Sequence, residues 1–192
     1  MKKEGIISMR EIVLSQKEIQ EITKGLGEKL TERFKSASSA PVFVGVMKGA
    51  LNFMMDLIKN VDVPMVTDYI QISSYEGTES TGIIHLKRDL TLDIKGKSVV
   101  IVEDIVDTGY SLHYLKEYLL EKYQPKEVII CCFIDKKCAR KIDVDVDYVG
   151  YTIDKPAFLM GYGLDYNEFA RNIDYVYIPS KEEIELYDKL SK

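Results

Sequence analysis

The segment Glu103-Asp104-Ile105-Val106-Asp107-Thr108-Gly109-Tyr110-Ser111 sets three carboxylates directly ahead of small and hydroxyl-bearing residues. Before it runs Ser98-Val99-Val100-Ile101-Val102, the clearest buried strand of the chain, and helical spacing resumes at Leu112, Leu115, Tyr118 and Leu119. The carboxylates are therefore expected at the carboxyl edge of a strand, in the loop that opens a helix. Backbone N–H groups converge at a helix amino terminus, so Thr108, Gly109 and Ser111 form a natural phosphate cradle. Carboxylates beside phosphate imply a cation, and hard oxygen ligands with retained waters describe how Mg²⁺ is held. Acidic residues also start helices for macrodipole reasons alone. That explanation suits a single aspartate but not Glu103 and Asp104, which fall before any helix begins.

A loop of this kind needs a sheet to hold it. Ser15-Gln16-Lys17-Glu18 is a capping-box pattern, and Ile19, Ile22, Leu26, Leu30 and Phe34 follow at helical spacing. Pro41 to Val46 reads as a buried strand, with a Lys48-Gly49 turn and an apolar helix from Ala50 to Ile58 behind it. Pro64 to Ile72 and Ile83 to Lys87 read as strands flanking a polar loop, which predicts a long hairpin. Val128 to Ile134 completes a βαβ unit, Val146 to Ile153 and Tyr175 to Ile178 are further strands, and Ser180 with Glu183 caps a short terminal helix. The alternation predicts an α/β fold with a mostly parallel sheet flanked by helices, binding its ligands at the carboxyl ends of the strands.

Composition narrows the function. The chain has 192 residues, 46% hydrophobic and 30% charged, which suits one domain spanning 1–192. With 26 Lys plus Arg against 31 Asp plus Glu, the net charge of -5 opposes binding to nucleic acid. No apolar run approaches the ~20 residues needed to cross a bilayer, so no membrane role is expected. The apolar stretch near the amino terminus is too short for an export signal, and a cytoplasmic location is expected. Cys131 and Cys132 lie in a strand run and read as buried, reduced thiols, while Cys138, His85 and His113 are too scattered for zinc.

Val100-Ile101-Val102-Glu103-Asp104-Ile105-Val106-Asp107-Thr108-Gly109 resembles the phosphoribosyl-pyrophosphate signature of the type I phosphoribosyltransferases, most closely their hypoxanthine (guanine) branch. Further parts of that branch's pattern are Val46-Met47-Lys48-Gly49-Ala50, Ser74-Tyr75 with Ser80-Thr81-Gly82, Asp135-Lys136, and Gly161-Tyr162-Gly163-Leu164-Asp165-Tyr166. They keep the family's order from Val46 to Arg171.

The resemblance implies the type I phosphoribosyltransferase fold, with a small hood formed by the terminal regions. It also implies Mg²⁺-dependent transfer of the phosphoribosyl group from phosphoribosyl pyrophosphate to N9 of hypoxanthine or guanine, giving IMP or GMP and pyrophosphate. Glu103 and Asp104 would hold the ribose hydroxyls and Mg²⁺, and Asp107, Thr108, Gly109, Tyr110 and Ser111 the 5'-phosphate. Asp107 would be the general acid/base at the purine N7 edge. Lys136 would donate to the 6-oxo group, Phe158 would stack on the purine and Leu159 would offer backbone groups to it. Asp165 would bind a second Mg²⁺. Lys48, behind a cis peptide bond, would bind pyrophosphate together with Gly49 and Arg171, and Ser74 and Tyr75 would close over it. A homodimer or homotetramer is implied as well. Five residues, Pro156 to Met160, separate Asp154-Lys155 from Gly161 where relatives usually have three, and counting back from Gly161 selects Phe158.

Two other readings are open at this point. A ligand-responsive nucleic-acid regulator would keep the same loop, but the acidic balance and the lack of a helix-turn-helix extension oppose it. An aspartyl-phosphate site would use Asp104 and Asp107, but such acids usually stand two residues apart, near a chain's beginning.

Overall fold

The structure, a computed structural model, describes residues 10–74 and 84–192. Ser15 starts the first helix by the predicted box. Its hydroxyl accepts from the Glu18 amide, and the Glu18 carboxylate accepts from the Ser15 amide at 2.8 Å. Helix α1 (Gln16–Phe34) then buries Ile19, Leu26, Leu30 and Phe34.

Strands β2 (Val42–Met47), β5 (Ser98–Val106) and β6 (Glu127–Lys136) are near-continuous buried runs, as strands covered on both faces must be. With β3 (Val66–Ser74), β4 (Ile84–Arg88) and β7 (Tyr148–Ile153) they form a six-stranded sheet in the order β4-β3-β2-β5-β6-β7. Every neighbouring pair is parallel except the predicted β3-β4 hairpin. Strand alternation divides the core in two. Val100 and Val102 join the cluster containing residues of α1 and α2 (Leu51–Ile58), whereas Val99 and Ile101 join that of α3 (Tyr110–Tyr123).

From β2 the chain passes through α2 to β3 on one side. From β5 it passes through α3 to β6 and β7 on the other. Neighbouring strands β2 and β5 therefore diverge at their carboxyl ends, the switch point where open α/β sheets leave a crevice.

Residues 11–14 and the segment from Met160 onward build a hood. Strand β1 (Glu11–Leu14) pairs antiparallel with β8 (Val176–Ile178), and Met160 exchanges backbone hydrogen bonds with Tyr177, each 2.9 Å. Helix α4 (Lys181–Leu190) follows. Sequence reading misses β1 because only four residues form it and only Leu14 is buried, so no alternation is visible before β8 supplies the register. At α4 the Ser180 hydroxyl accepts from the Glu183 amide as predicted, but the Glu183 side chain turns inward to Arg10 instead of back to the cap. No helix among the described residues is long and apolar enough to cross a membrane.

Candidate active site

Strand β5 continues past Val102 to Val106, so Glu103 and Asp104 lie within the strand and only Asp107 reaches the loop. Both strand carboxylates are buried, at 7% and 9% exposure. Burial pushes the Glu103 carboxyl well above its ordinary range, and the adjacent Asp104 charge pushes it further. Burial raises Asp104 too, against hydrogen bonds and the positive charge of Arg171. Neither is paired with a cation among the described residues. Two adjacent buried anions of this kind are costly in isolation, and a positive ligand would stabilise both.

The crevice between β2 and β5 is a cleft of about 490 Å³, lined by Met47 and Gly49, by Ile72 and Ser73 of β3, by Glu103, Asp104 and Ile105, by Ser111, and by Asp165 and Arg171. The peptide bond between Met47 and Lys48 is cis, as the resemblance implies. Close approach explains two glycines here. A Cβ at Gly49 would lie 1.9 Å from Asp104 Oδ2, and one at Gly163 would lie 2.1 Å from the Gly49 carbonyl oxygen. The hood segment thus closes against the β2 turn, which closes against β5.

Behind Glu103 sits a smaller hollow of about 80 Å³, lined by Asp107, Thr108, Gly109 and Ser111. Gly109 caps α3 at φ 91°, a left-handed conformation suited to glycine, so the first amides of the helix follow directly. The turn after β6 packs over this loop, with the amides of Lys141 and Ile142 donating to the Thr108 carbonyl at 3.0 and 3.2 Å. At the end of β6, Lys136 Nζ lies 3.7 Å from Asp107 Oδ2, the lysine side chain 15% exposed and the aspartate 50%.

A buried carboxylate pair in β5, a helix-start anion hollow and a lysine beside a half-exposed aspartate now stand at one sheet edge. The phosphoribosyl transferase domain profile matches residues 15–167, most of this arrangement. The chain belongs to the phosphoribosyltransferase family. The resemblance to the hypoxanthine (guanine) branch is borne out by its relatives. The hypoxanthine-guanine phosphoribosyltransferase of Streptococcus pneumoniae is 40% identical over 92% of this chain and 96% of its own. That of Bacillus subtilis is 39% identical, covering 88% and 92%. A crystal structure of a hypoxanthine phosphoribosyltransferase from Staphylococcus aureus superposes with a TM-score of 0.84 at 40% identity, covering 90% of this chain and 92% of that one.

In this phosphoribosyltransferase Arg171 is already engaged. It meets Asp165 at 2.8 Å and Glu168 at 3.2 Å, and donates to the Gly163 carbonyl at 2.7 Å. Lys48 Nζ also meets Glu168, at 3.1 Å. Sequence reading misses Glu168, Asn52, which donates to the Arg171 carbonyl at 2.8 Å, and Arg140, which pairs with buried Asp135. Asn52 and Arg171 stand 119 residues apart, and periodicity within one element does not mark such residues as partners.

Phe158 does not line the cleft. It is half exposed, meets Tyr166 edge to face at 5.8 Å, and lines a separate apolar cavity of about 480 Å³ with Ile178 and Ile184. The Leu159 side chain is buried in the core, which leaves its backbone as the part able to face a ligand. Tyr110 begins α3 and is 37% exposed. Ser74 ends β3, but its side chain, together with Tyr75, Ser80, Thr81 and Gly82, lies outside the described residues.

Among the described residues no three His, Cys, Asp or Glu side chains gather into a group able to hold a metal, and Asp165 is turned to Arg171. Mg²⁺ does not require such a group, since it is commonly held by one or two carboxylates with waters and substrate oxygens. The buried Glu103-Asp104 pair, raised by burial and facing the cleft, fits that mode.

Proposed function

We propose that this phosphoribosyltransferase is a Mg²⁺-dependent purine salvage enzyme, transferring the 5-phosphoribosyl group from phosphoribosyl pyrophosphate to N9 of hypoxanthine and of guanine. The observation that carries the reading is Lys136 held 3.7 Å from Asp107 beside the anion hollow. The names of the relatives support the same branch.

The roles follow from charge. The bond from the ribose anomeric carbon to pyrophosphate breaks as the bond to N9 forms, so positive charge grows on the sugar and negative charge on the leaving group. Glu103 and Asp104 face the ribose and stabilise the sugar cation; Asp107 to Ser111 hold the 5'-phosphate. Asp107 takes the proton that the purine loses at its N7 edge. Lys48, Gly49 and Arg171 receive pyrophosphate; Glu103 and Asp104 would hold one Mg²⁺ and Asp165 a second, and such ions would neutralise further charge on the leaving group. Ser74 and Tyr75 exclude water from the sugar cation. Leu159 offers backbone groups to the base, and stacking by Phe158 would require its ring to leave the apolar cavity it lines here.

Lys136 donates to a 6-oxo group. Adenine presents an amino donor there and leaves the ammonium unpaired, a mismatch worth ~1–3 kcal/mol, or roughly five- to 150-fold in kcat/KM. A purine panel assayed for pyrophosphate release with and without Mg²⁺ tests this. Hypoxanthine and guanine should react only with Mg²⁺ present, and adenine poorly. Equal turnover of adenine would remove the role given to Lys136, and no turnover with any purine would sink the reading.

A further inference from the structure

Five non-glycine residues among those described have left-handed backbone, and three of them, Asn167 at φ 50°, Glu168 at 68° and Ala170 at 73°, share one short turn. Asparagine tolerates that region; glutamate gains nothing from it. The turn itself is held by Asp165, which accepts from the Glu168 amide at 2.8 Å. The side chain thus presented is 60% exposed, and it meets both cationic residues named above for pyrophosphate, Lys48 at 3.1 Å and Arg171 at 3.2 Å. They come from opposite sides of the cleft, one after β2 and one from the hood segment. Exposed ion pairs contribute little to stability. Neither backbone preference nor folding therefore explains a glutamate at this position, whereas its charge and partners match those of a phosphate oxygen.

We propose that Glu168 is an internal stand-in for pyrophosphate. It holds Lys48 and Arg171 in their binding positions when no diphosphate is present, and it must yield them when one arrives. The displaced carboxylate stays beside the bound diphosphate and repels it. Glu168 is thus a positioning residue that weakens diphosphate binding and favours release of the product. This rests on the pyrophosphate roles given to Lys48 and Arg171.

The test compares wild type with Glu168→Gln as purified full-length enzymes with Mg²⁺, measuring inhibition by pyrophosphate together with KM for phosphoribosyl pyrophosphate and for hypoxanthine. Removing the charge should tighten pyrophosphate and lower KM for phosphoribosyl pyrophosphate, each by roughly three- to tenfold, the scale of one or two exposed ion pairs, with KM for hypoxanthine unchanged. Glu168→Asn, which suits the left-handed backbone, should tighten pyrophosphate likewise. A damaged fold weakens binding and cannot imitate this gain. Unchanged or weaker pyrophosphate binding in both variants, with wild type still inhibited competitively against phosphoribosyl pyrophosphate, would overturn the stand-in alone. Wild type showing no such inhibition would overturn both the stand-in and the pyrophosphate roles beneath it.

Discussion

Asp107 differs from the other two signature carboxylates in its surroundings. Glu103 and Asp104 are locked in β5 and buried, whereas Asp107 is half exposed at the loop and has Lys136 as its neighbour. Buried, strand-held groups suit fixed contacts to sugar and cation; a half-exposed one can reach a base and return a proton to solvent. Replacing Asp107 by Ala should lower kcat by about 10²–10⁴, the usual contribution of a general acid/base. Affinity for phosphoribosyl pyrophosphate should stay within a few-fold, because Thr108 to Ser111 still form the hollow. Steady-state rates and calorimetric titration check the two halves separately, and unchanged turnover would defeat the assignment.

Two aspartates pin the segment following β4. Asp68 in β3 accepts from the amides of Tyr69, Thr91 and Leu92. Asp89 accepts from the Tyr118 hydroxyl and Lys122 Nζ, each at 2.5 Å, and from the Tyr123 hydroxyl at 2.7 Å, all three donors on α3. Burial would raise the Asp89 pKa, but hydrogen bonds from Lys122, Tyr118 and Tyr123 outweigh it and lower the value from 3.8 to about 2. A carboxyl depressed by folding stabilises the native state above its unfolded pKa, and that contribution is lost as pH falls through the folded value. Asp89→Asn should therefore be less stable than wild type at neutral pH by about 1 kcal/mol after solvent screening. The difference should shrink between pH 4 and pH 2. Urea melts across that range measure it; a gap that widens in acid would contradict the direction of the shift.

At the scale of the whole molecule, residues 10–14 meet the carboxyl-terminal segment in the hood. Arg10 pairs with Glu183 at 2.6 Å, donates to the Tyr175 hydroxyl at 2.7 Å and lies 4.3 Å from the Tyr177 ring centroid. Glu183, its side chain 1% exposed, also accepts from the hydroxyls of Tyr177 and Tyr187. Tyr177 in turn pairs with Met160, ahead of the Gly161–Asp165 segment that borders the cleft. Breaking a buried pair from one side costs ~3–5 kcal/mol because the other charge is stranded. Glu183→Ala should fall in that range by denaturant midpoint, since three donors lose their acceptor. Arg10→Ala should cost less, because the carboxylate keeps two tyrosine hydroxyls. Equal losses would mean that the tyrosines do not share the load.

What the sequence determined by itself was local and periodic. The capping box at Ser15, the apolar runs of β2, β5 and β6, the hairpin ends and the signature loop were all legible, because a cap spans four residues and strand and helix periods repeat within a dozen. Hydrophobic pattern alone ends β5 at Val102, where charge begins, whereas the strand runs on to Val106. Only the tertiary structure showed that the cleft edge lets the strand continue with its carboxylates buried. The same holds for contacts between distant parts of the chain. Arg10 and Glu183 stand 173 residues apart, Asn52 and Arg171 119 apart, and the Lys48–Glu168 contact likewise joins two ends of the site. Their pairing is set by the switch point of the sheet and by the hood folding back over it. Side chains that touch only because layers pack carry no local signal, so their chemistry becomes readable when the fold brings them together.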